Sequence, residues 1–246
     1  KCEMRDDGKC WNKSTNKVIK AVLPMHTFGH PVNIEEIYNL CKKFNIYLVE
    51  DAAESLGSIY KKKHTGSYGV ISTLSFNGNK IITTGGGGAV LTDDIILAEK
   101  MHHLINTAKI SDKWNFYHDQ VGYNYRMPNI NAALGLGQIE QLEYYLNCKR
   151  KIFKIYKEFA DSENLKIFQE PQYAKSNYWL NCIITDNEHD KIGLIKMSYE
   201  KNIMMRPLWH PVHNLPMYKD NLRTNVQNTE TLFNKIVCIP SSVVEI

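Results

Sequence analysis

The residues best suited to chemistry follow two apolar runs that are predicted to be buried strands. Asp51 ends the run IYLVED, and Ser75 lies in the run VISTLSF, with Lys80 a short polar loop later. In parallel α/β sheets the active groups collect beyond the carboxyl ends of the strands, so we expect these three side chains at one edge. An amine held there, close to an electrophilic carbonyl, would act as a nucleophile once desolvation lowers its pKa.

Lys80 also has a plainer interpretation, as a surface lysine before the flexible run Gly85–Gly88, because most lysines are exposed. The four glycines do not indicate a nucleotide hydrolase or a dinucleotide-binding protein. Neither the P-loop pattern GxxxxGK nor a GxGxxG directly before a helix is present. The choice between the two interpretations therefore depends on the rest of the chain.

The elements that would position these residues alternate between apolar strands and amphipathic helices. The predicted strands are Val18–Pro24, Ile46–Val49, Val70–Phe76 and Ala89–Thr92. The predicted helices are Asn33–Phe44, a helix from an Asp93 or Asp94 cap to about Ile105, and a long pattern from Asn129 to Ala160 that is broken once. This alternation predicts an α/β domain with a mostly parallel sheet covered by helices.

The pattern changes after about Arg150. Short strands at Leu165–Phe168 and Tyr178–Ile184 precede a helix at His189–Lys201 and the irregular, Pro- and His-rich segment Arg206–Tyr218. We therefore predict a large domain over residues 1–150 and a smaller α+β domain over residues 151–246.

Composition excludes several classes of protein. Of the 246 residues, 43% are hydrophobic and 23% charged, which suits a globular chain with a core, and no run is long enough to span a membrane. No apolar signal-peptide core follows the polar start Lys1–Lys20, which favours the cytoplasm. The formal charge of +4 is mild, so the lysines near Lys149–Lys154 are interpreted as a solvated helix face and not as a nucleic-acid site. The six cysteines form no CxxC, and Cys2 and Cys10 lack further ligands, so we expect free thiols and no metal site.

Several separated motifs together resemble one family. They are VEDAAES (49–55), GSYGVISTLSFNGNK (66–80), TTGGGGAVLTDD (83–94) and VGYNYRMPNINAALGLGQIEQLE (121–143). Their order resembles the DegT/StrS type of sugar-nucleotide aminotransferase, and the resemblance extends from PMHTFGHP to RPLWHPVH. It implies the aspartate-aminotransferase-like fold (fold type I) and pyridoxal 5'-phosphate (PLP) as cofactor.

The resemblance also implies roles for five residues. Lys80 matches the lysine that forms a Schiff base with PLP and later moves a proton, and Asp51 matches the carboxylate that keeps the pyridine nitrogen protonated. Glu54 stands where the family usually has Gln or His beside the phenolic oxygen, and an ionised Glu would be repelled there. Ser75 matches the hydroxyl that binds the cofactor phosphate. Asn124 matches an asparagine that reaches the phosphate in the neighbouring subunit, which implies a homodimer with shared active sites.

Other polar residues keep two interpretations each. Arg126 could bind a substrate diphosphate or form a structural ion pair, and His210 and His213 could cover the sugar or only pack within their loop. For His26 and His30 we favour a turn that lines the cofactor or substrate pocket over a metal site, because the nearby Gly and Pro argue against a helix.

The family motifs, in the variants that this chain carries, are most similar to the branch that acts on UDP-linked 4-keto-6-deoxy-N-acetyl sugars, as in legionaminic acid or bacillosamine pathways. GDP-perosamine-type synthases are the nearest alternative. The implied reaction is amino transfer from an amino acid, expected to be L-glutamate, to a nucleotide-linked keto sugar used for surface glycans such as lipopolysaccharide or capsule.

Two alternatives come from other functional classes. A sugar dehydratase of the same fold would carry histidine in place of Lys80. A non-catalytic sugar-nucleotide-binding remnant of the fold would not need Asp51, Ser75 and Lys80 together. Family members also carry a substantial stretch before the segment matching Val18–Pro24, so we expect this sequence to be a fragment.

Overall fold

The computed structural model describes residues 1–243. Contacts divide the chain into two units, the first made of Lys1–Tyr144 with Gln172–Asn177, and the second of Tyr145–Pro171 with the chain from Tyr178 on. The boundary predicted from the sequence lay near Arg150. The structure divides the chain after Tyr144 and returns Gln172–Asn177 to the first unit.

Within residues 1–243 the strands, in chain order, are β1 (Cys2–Met4), β2 (Cys10–Asn12), β3 (Lys17–Val18), β4 (Ala21–Val22), β5 (Tyr47–Asp51), β6 (Ile59–Tyr60), β7 (Lys63–His64), β8 (Ile71–Ser75), β9 (Gly88–Leu91), β10 (Lys166–Ile167), β11 (Ala174–Lys175), β12 (Asn181–Ile184), β13 (Arg206–Pro207) and β14 (Ile236–Ile239). The helices are α1 (Ile34–Lys43), α2 (Ile95–Ile105), α3 (Asn129–Ile139), α4 (Leu142–Ser162), α5 (Glu188–Glu200) and α6 (Gln227–Phe233), with 3-10 turns at Thr27–Gly29 and Val212–Asn214.

The main sheet of the first unit has the order β4-β5-β8-β9. β4 pairs with β5 and β5 with β8 in parallel, while β9 runs antiparallel to β8. The antiparallel pair arises because the connection from β8 to β9 is a loop without a crossover helix. The predicted α/β composition is therefore observed, with a parallel centre and one antiparallel edge.

The core under this sheet forms where α1 packs on β5. Ile34 and Cys41 of α1, Leu48 of β5 and Tyr60 of β6 are all buried in one cluster. Burial of such an apolar side chain stabilises the fold by roughly 1.5–3 kcal/mol. The cluster fixes the direction of β5, and so fixes where Asp51 leaves the sheet.

Two predictions about helices are confirmed. Asp94 caps α2 by accepting hydrogen bonds from the backbone N–H groups of Ile96 and Leu97, at 2.9 and 3.1 Å. The long helical pattern from Asn129 is interrupted between α3 and α4.

Two small antiparallel sheets, β1-β2-β3 and β11-β6-β7, were not predicted, because strands of two or three residues carry almost no periodic signal.

The second unit contains an antiparallel sheet with the order β10-β12-β14-β13. β14 is buried along its whole length, as expected for a central strand, although its short apolar run was not recognised in the sequence. The six cysteines of the chain are free thiols. Within residues 1–243, no helix is both long and apolar enough to cross a membrane.

Candidate active site at the ends of two parallel strands

Two neighbouring parallel strands bring Asp51 and Ser75 to the same edge of the main sheet. Asp51 ends β5 and is paired in register with Thr73 of β8, and Ser75 ends β8 two residues later. The Asp51 side chain accepts a hydrogen bond from the backbone N–H of Ala53 at 3.1 Å, which orients its carboxylate. This edge is the one that the sequence predicted.

The loop that carries Lys80 is closed at its base by main-chain hydrogen bonds. The N–H of Phe76 donates to the carbonyl of Gly87 at 2.9 Å, and the N–H of Thr84 donates to the carbonyl of Phe76 at 3.0 Å. Ile81 and Ile82, directly after Lys80, are buried. The backbone that carries Lys80 is therefore anchored, although the loop tip is exposed.

Lys80 and Glu54 form the central contact of the site. Nζ of Lys80 lies 3.7 Å from Oε1 of Glu54, with 14% and 10% of the two side chains exposed. Burial lowers the pKa of Lys80 below its ordinary value, although the negative charges of Glu54 and Asp51 oppose this change. Burial likewise raises the pKa of Glu54, against the hydrogen bond from Phe28 and the charge of Lys80. The site therefore holds an amine and a carboxyl group whose pKa values lie closer together than in water.

The second oxygen of Glu54 is held by the turn after β4. The backbone N–H of Phe28 donates to Oε2 of Glu54 at 2.7 Å. Phe28 has a φ of 59°, a left-handed conformation that a non-glycine residue adopts only when its surroundings hold it there. We did not predict this donor from the sequence, because a backbone N–H leaves no signature in the residue type.

His26 and Glu50 form a buried pair next to this site. Nε2 of His26 lies 3.1 Å from Oε2 of Glu50, and Nδ1 of His26 accepts a hydrogen bond from the N–H of Val32 at 3.2 Å. Since Nδ1 accepts, Nε2 carries the proton and donates to Glu50. The side chain of His26 is fully buried and donates to Glu50, while the prediction that its turn lines the cofactor or substrate pocket stays a prediction. His30 is also buried.

Glu50 is satisfied by three further donors. The backbone N–H groups of Tyr68 and Gly69 donate to Oε1 at 2.6 and 2.7 Å, and that of Gly66 donates to Oε2 at 2.9 Å. Burial alone would raise the pKa of Glu50, but these bonds and the one from His26 hold it below its ordinary value. The ionised carboxylate thus ties β5 to the turn before β8.

Of the remaining predicted residues of the first unit, Ser75 is half-buried, whereas Asn124 and Arg126 lie at open positions. The Oγ of Ser75 is 3.4 Å from the N–H of Asn77. Asn124 and Arg126 are exposed, and main-chain bonds of Tyr123 and Tyr125 fasten their segment to the end of α2. The structure thus brings Asp51, Glu54 and Lys80 together and leaves the side chains of Asn124 and Arg126 facing solvent.

His210 and His213 belong to the second unit. Nε2 of His213 lies 3.2 Å from Oε1 of Glu230, and the ring of His210 lies 5.1 Å from that of Phe233. Both histidines therefore contact α6, which accords with loop packing. Their proposed contact with the sugar stays a prediction.

The residues present suit PLP by the chemistry of their donors. The amine of Lys80 can bond to an aldehyde, the carboxylate of Asp51 can hold a protonated pyridine nitrogen, and the hydroxyl of Ser75 can donate to a phosphate. By contrast, among the described residues no group of three or more His, Cys, Asp or Glu side chains could hold a metal ion.

Comparison with known proteins gives one family. The model of the DegT/DnrJ/EryC1/StrS aminotransferase family matches residues 11–244. The chain is 41% identical over 208 residues to the GDP-perosamine synthase of Escherichia coli O157:H7, covering 85% of this chain and 56% of that protein. It is 32% identical over 217 residues to a UDP-4-amino-4,6-dideoxy-N-acetyl-beta-L-altrosamine transaminase of Campylobacter jejuni, covering 86% and 58%.

A solved structure shares the fold. It is a DegT DnrJ EryC1 StrS aminotransferase from Brucella abortus, with a TM-score of 0.84 and 24% identity over 93% of this chain and 61% of that chain. The present chain thus spans between 56% and 61% of the length of these three proteins.

Proposed function

Since the chain belongs to the DegT/DnrJ/EryC1/StrS aminotransferase family, whose aminotransferases depend on PLP, we propose that it transfers an amino group from an amino acid to a nucleotide-linked keto sugar. The observation that carries this proposal is the contact of Lys80 with Glu54 beside Asp51, at the carboxyl ends of parallel strands. The amino donor is proposed to be L-glutamate and the acceptor a 4-keto-6-deoxy sugar.

Each residue of the site has a distinct task in this reaction. PLP, when bound, supplies an electron sink that stabilises negative charge next to the amino carbon. Asp51 keeps the pyridine nitrogen protonated, and Ser75 donates to the phosphate. Lys80, whose pKa is lowered by burial, offers its amine as nucleophile and afterwards accepts and returns a proton at Nζ. The carboxyl group of Glu54, whether ionised or protonated, stays within reach of Lys80.

The nucleotide of the substrate is proposed as a choice between two. The motif variants favour a UDP-linked N-acetyl sugar, while the 41% identity to a GDP-perosamine synthase favours a GDP-linked sugar. The Escherichia coli relative is named for perosamine, and the Campylobacter jejuni relative is named for a UDP-linked 4-amino sugar. The proposed product is therefore a 4-amino sugar nucleotide. Arg126 is proposed to bind the diphosphate that both nucleotides share.

A second copy of the chain is proposed to complete the site. Asn124, which is exposed, would then reach the cofactor phosphate of the partner subunit. Large apolar side chains near Asn124 and Arg126 support an interface: Trp114, Phe116, Val121, Tyr125 and Ile130 are all more than two-thirds exposed. A monomeric surface rarely presents so much apolar area in one segment.

Turnover of keto sugars tests the proposal. The intact protein, loaded with PLP, is incubated with glutamate and either a UDP-linked or a GDP-linked 4-keto-6-deoxy sugar. The expected products are 2-oxoglutarate and one amino sugar nucleotide, and mass spectrometry detects them. Cofactor binding without turnover of either sugar would instead support a non-catalytic binding protein.

A further inference from the structure

A buried asparagine distant in sequence is bonded to the backbone of Glu54. Asn177 is 1% exposed, and its Nδ2 donates to the carbonyls of Glu54 and Leu56, both at 2.9 Å. The backbone N–H of Asn177 donates to Oγ of Ser58 at 2.9 Å. Both amide hydrogens of Asn177 are therefore used on the short segment that carries Glu54.

The same asparagine also packs against the turn that holds the Glu54 carboxylate. Gly29 has a φ of +89°, and a Cβ built on it would lie 1.7 Å from Oδ1 of Asn177. The carbonyl of Gly29 accepts hydrogen bonds from Oγ of Ser58 at 2.6 Å and Oγ of Ser176 at 2.9 Å. Phe28, the residue before Gly29, donates its N–H to Oε2 of Glu54.

Glu54 is thus held from two directions by one cluster. Asn177 fixes its main chain directly, and the turn against which Asn177 packs fixes its carboxylate. The segment Gln172–Asn177 belongs to the first unit, although the chain on both sides of it belongs to the second. The pairing of β11 with β6 accounts for the position of this segment, but it does not require a side chain that bonds to the carbonyl of Glu54.

We propose that Asn177 is a positioning residue that holds Glu54 against the amine of Lys80. Its meaning for catalysis rests on the function proposed above, while the geometric claim is independent of it. Asn177 does not touch the reacting atoms; it acts through Glu54. Loss of its amide releases two buried carbonyls and allows Glu54 to move away from Nζ.

The test measures the pKa of Lys80 in the cofactor-free protein, from the pH dependence of its acylation by acetic anhydride, read by peptide mass spectrometry. Because the charge of Glu54 raises this pKa, Glu54→Gln lowers it. Asn177→Ala is expected to lower it in the same direction by about 0.5, which makes acylation about threefold faster at a fixed pH below the pKa. In the Glu54→Gln background, Asn177→Ala is expected to leave the pKa unchanged.

Asn181→Ala is the matched control, because Asn181 is equally buried and belongs to the other unit. It is expected to lower the melting temperature without changing the pKa of Lys80. Where Asn177→Ala does not fold, Asn177→Ser, which keeps one donor, is measured instead, with a smaller change of the same sign.

Two results would overturn the proposal. The first is a destabilised Asn177 variant in which the pKa of Lys80 is the same as in the unmodified chain. The second is a change in the pKa of Lys80 on Asn177→Ala that is the same whether or not the Glu54 carboxylate is present. Since the acylation assay contains neither cofactor nor sugar, failure of the amino-transfer proposal would show itself separately, in the turnover assay.

Discussion

Nζ of Lys80 lies 3.7 Å from Oε1 of Glu54, and burial moves the pKa values of these two groups towards each other. In a solvent-exposed ion pair at this distance, both groups would stay fully charged, and their pKa values would depend little on the fold. In this pair the low exposure of both side chains brings the free energies of the charged and neutral forms closer together. The contact therefore suits a lysine that must lose and regain a proton.

Replacement of Lys80 by Ala is expected to reduce kcat for amino transfer by roughly 10³-fold, because both the nucleophile and the proton carrier are lost. Steady-state assays with glutamate and the keto sugar nucleotide give this value. Lys61→Ala is the control, since Lys61 is exposed and pairs with Glu35. Equal losses in the two variants would contradict the role of Lys80.

Replacement of Glu54 by Gln is expected to change how PLP uptake depends on pH. The charge of Glu54 raises the pKa of Lys80, so its removal increases the fraction of neutral amine at lower pH. The midpoint of the uptake rate, followed by absorbance, is predicted to move to lower pH. An unchanged or higher midpoint would show that Glu54 does not act on Lys80 in this way.

Replacement of Glu50 by Gln is expected to destabilise the first unit by about 3 kcal/mol, because a buried carboxylate with four donors is lost. The pKa of Glu50 is lowered in the fold, so its stabilisation is complete above its ordinary value of 4.5 and is lost as the pH falls through the lowered pKa. Urea unfolding at several pH values measures both effects. Glu35→Gln is the exposed control, and a similar small effect for both variants would refute the prediction.

Replacement of Lys149 by Met is expected to remove an alkaline dependence of stability in the second unit. The interpretation of the lysines near Lys149–Lys154 as a solvated helix face was wrong for Lys149, which is buried. Its Nζ donates to the carbonyls of Trp179 and Ser241, and burial lowers its pKa from 10.5 to about 8. The unfolded chain binds more protons between these values, so the free energy of unfolding rises from about pH 8 to 10.5 by roughly 3 kcal/mol.

In Lys149→Met this rise is predicted to disappear, as measured by chemical unfolding between about pH 7 and 10.5. Lys154→Met, in the same helix but exposed, serves as the control and should keep the rise. If the free energy of unfolding still rose with pH in Lys149→Met, the rise would come from another titrating group.

The sequence predicted the parts of the site that depend on local pattern. Apolar strands that end in Asp51 and Ser75, and a lysine in the next loop, are visible as runs and spacings, and the parallel pairing of β5 with β8 places the two strand ends together. The Asp94 cap was visible for the same reason, because a cap is a local motif.

The parts that were missed depend on contacts between distant residues. The pairing of His26 with Glu50 and the bond from Asn177 to the Glu54 carbonyl join residues that no periodicity connects. The N–H of Phe28 is a backbone group whose position follows from the left-handed turn. A single sequence contains the residues of these contacts but not their geometry.

Lys80 is proposed to be the lysine that bonds to PLP. The intact protein is incubated with PLP, reduced with borohydride, digested and mapped by mass spectrometry. We predict a phosphopyridoxyl group on Lys80, in a yield that no other lysine matches. An unmodified Lys80, or labels scattered over exposed lysines such as Lys61–Lys63, would contradict the claim and leave a shared fold without the proposed chemistry.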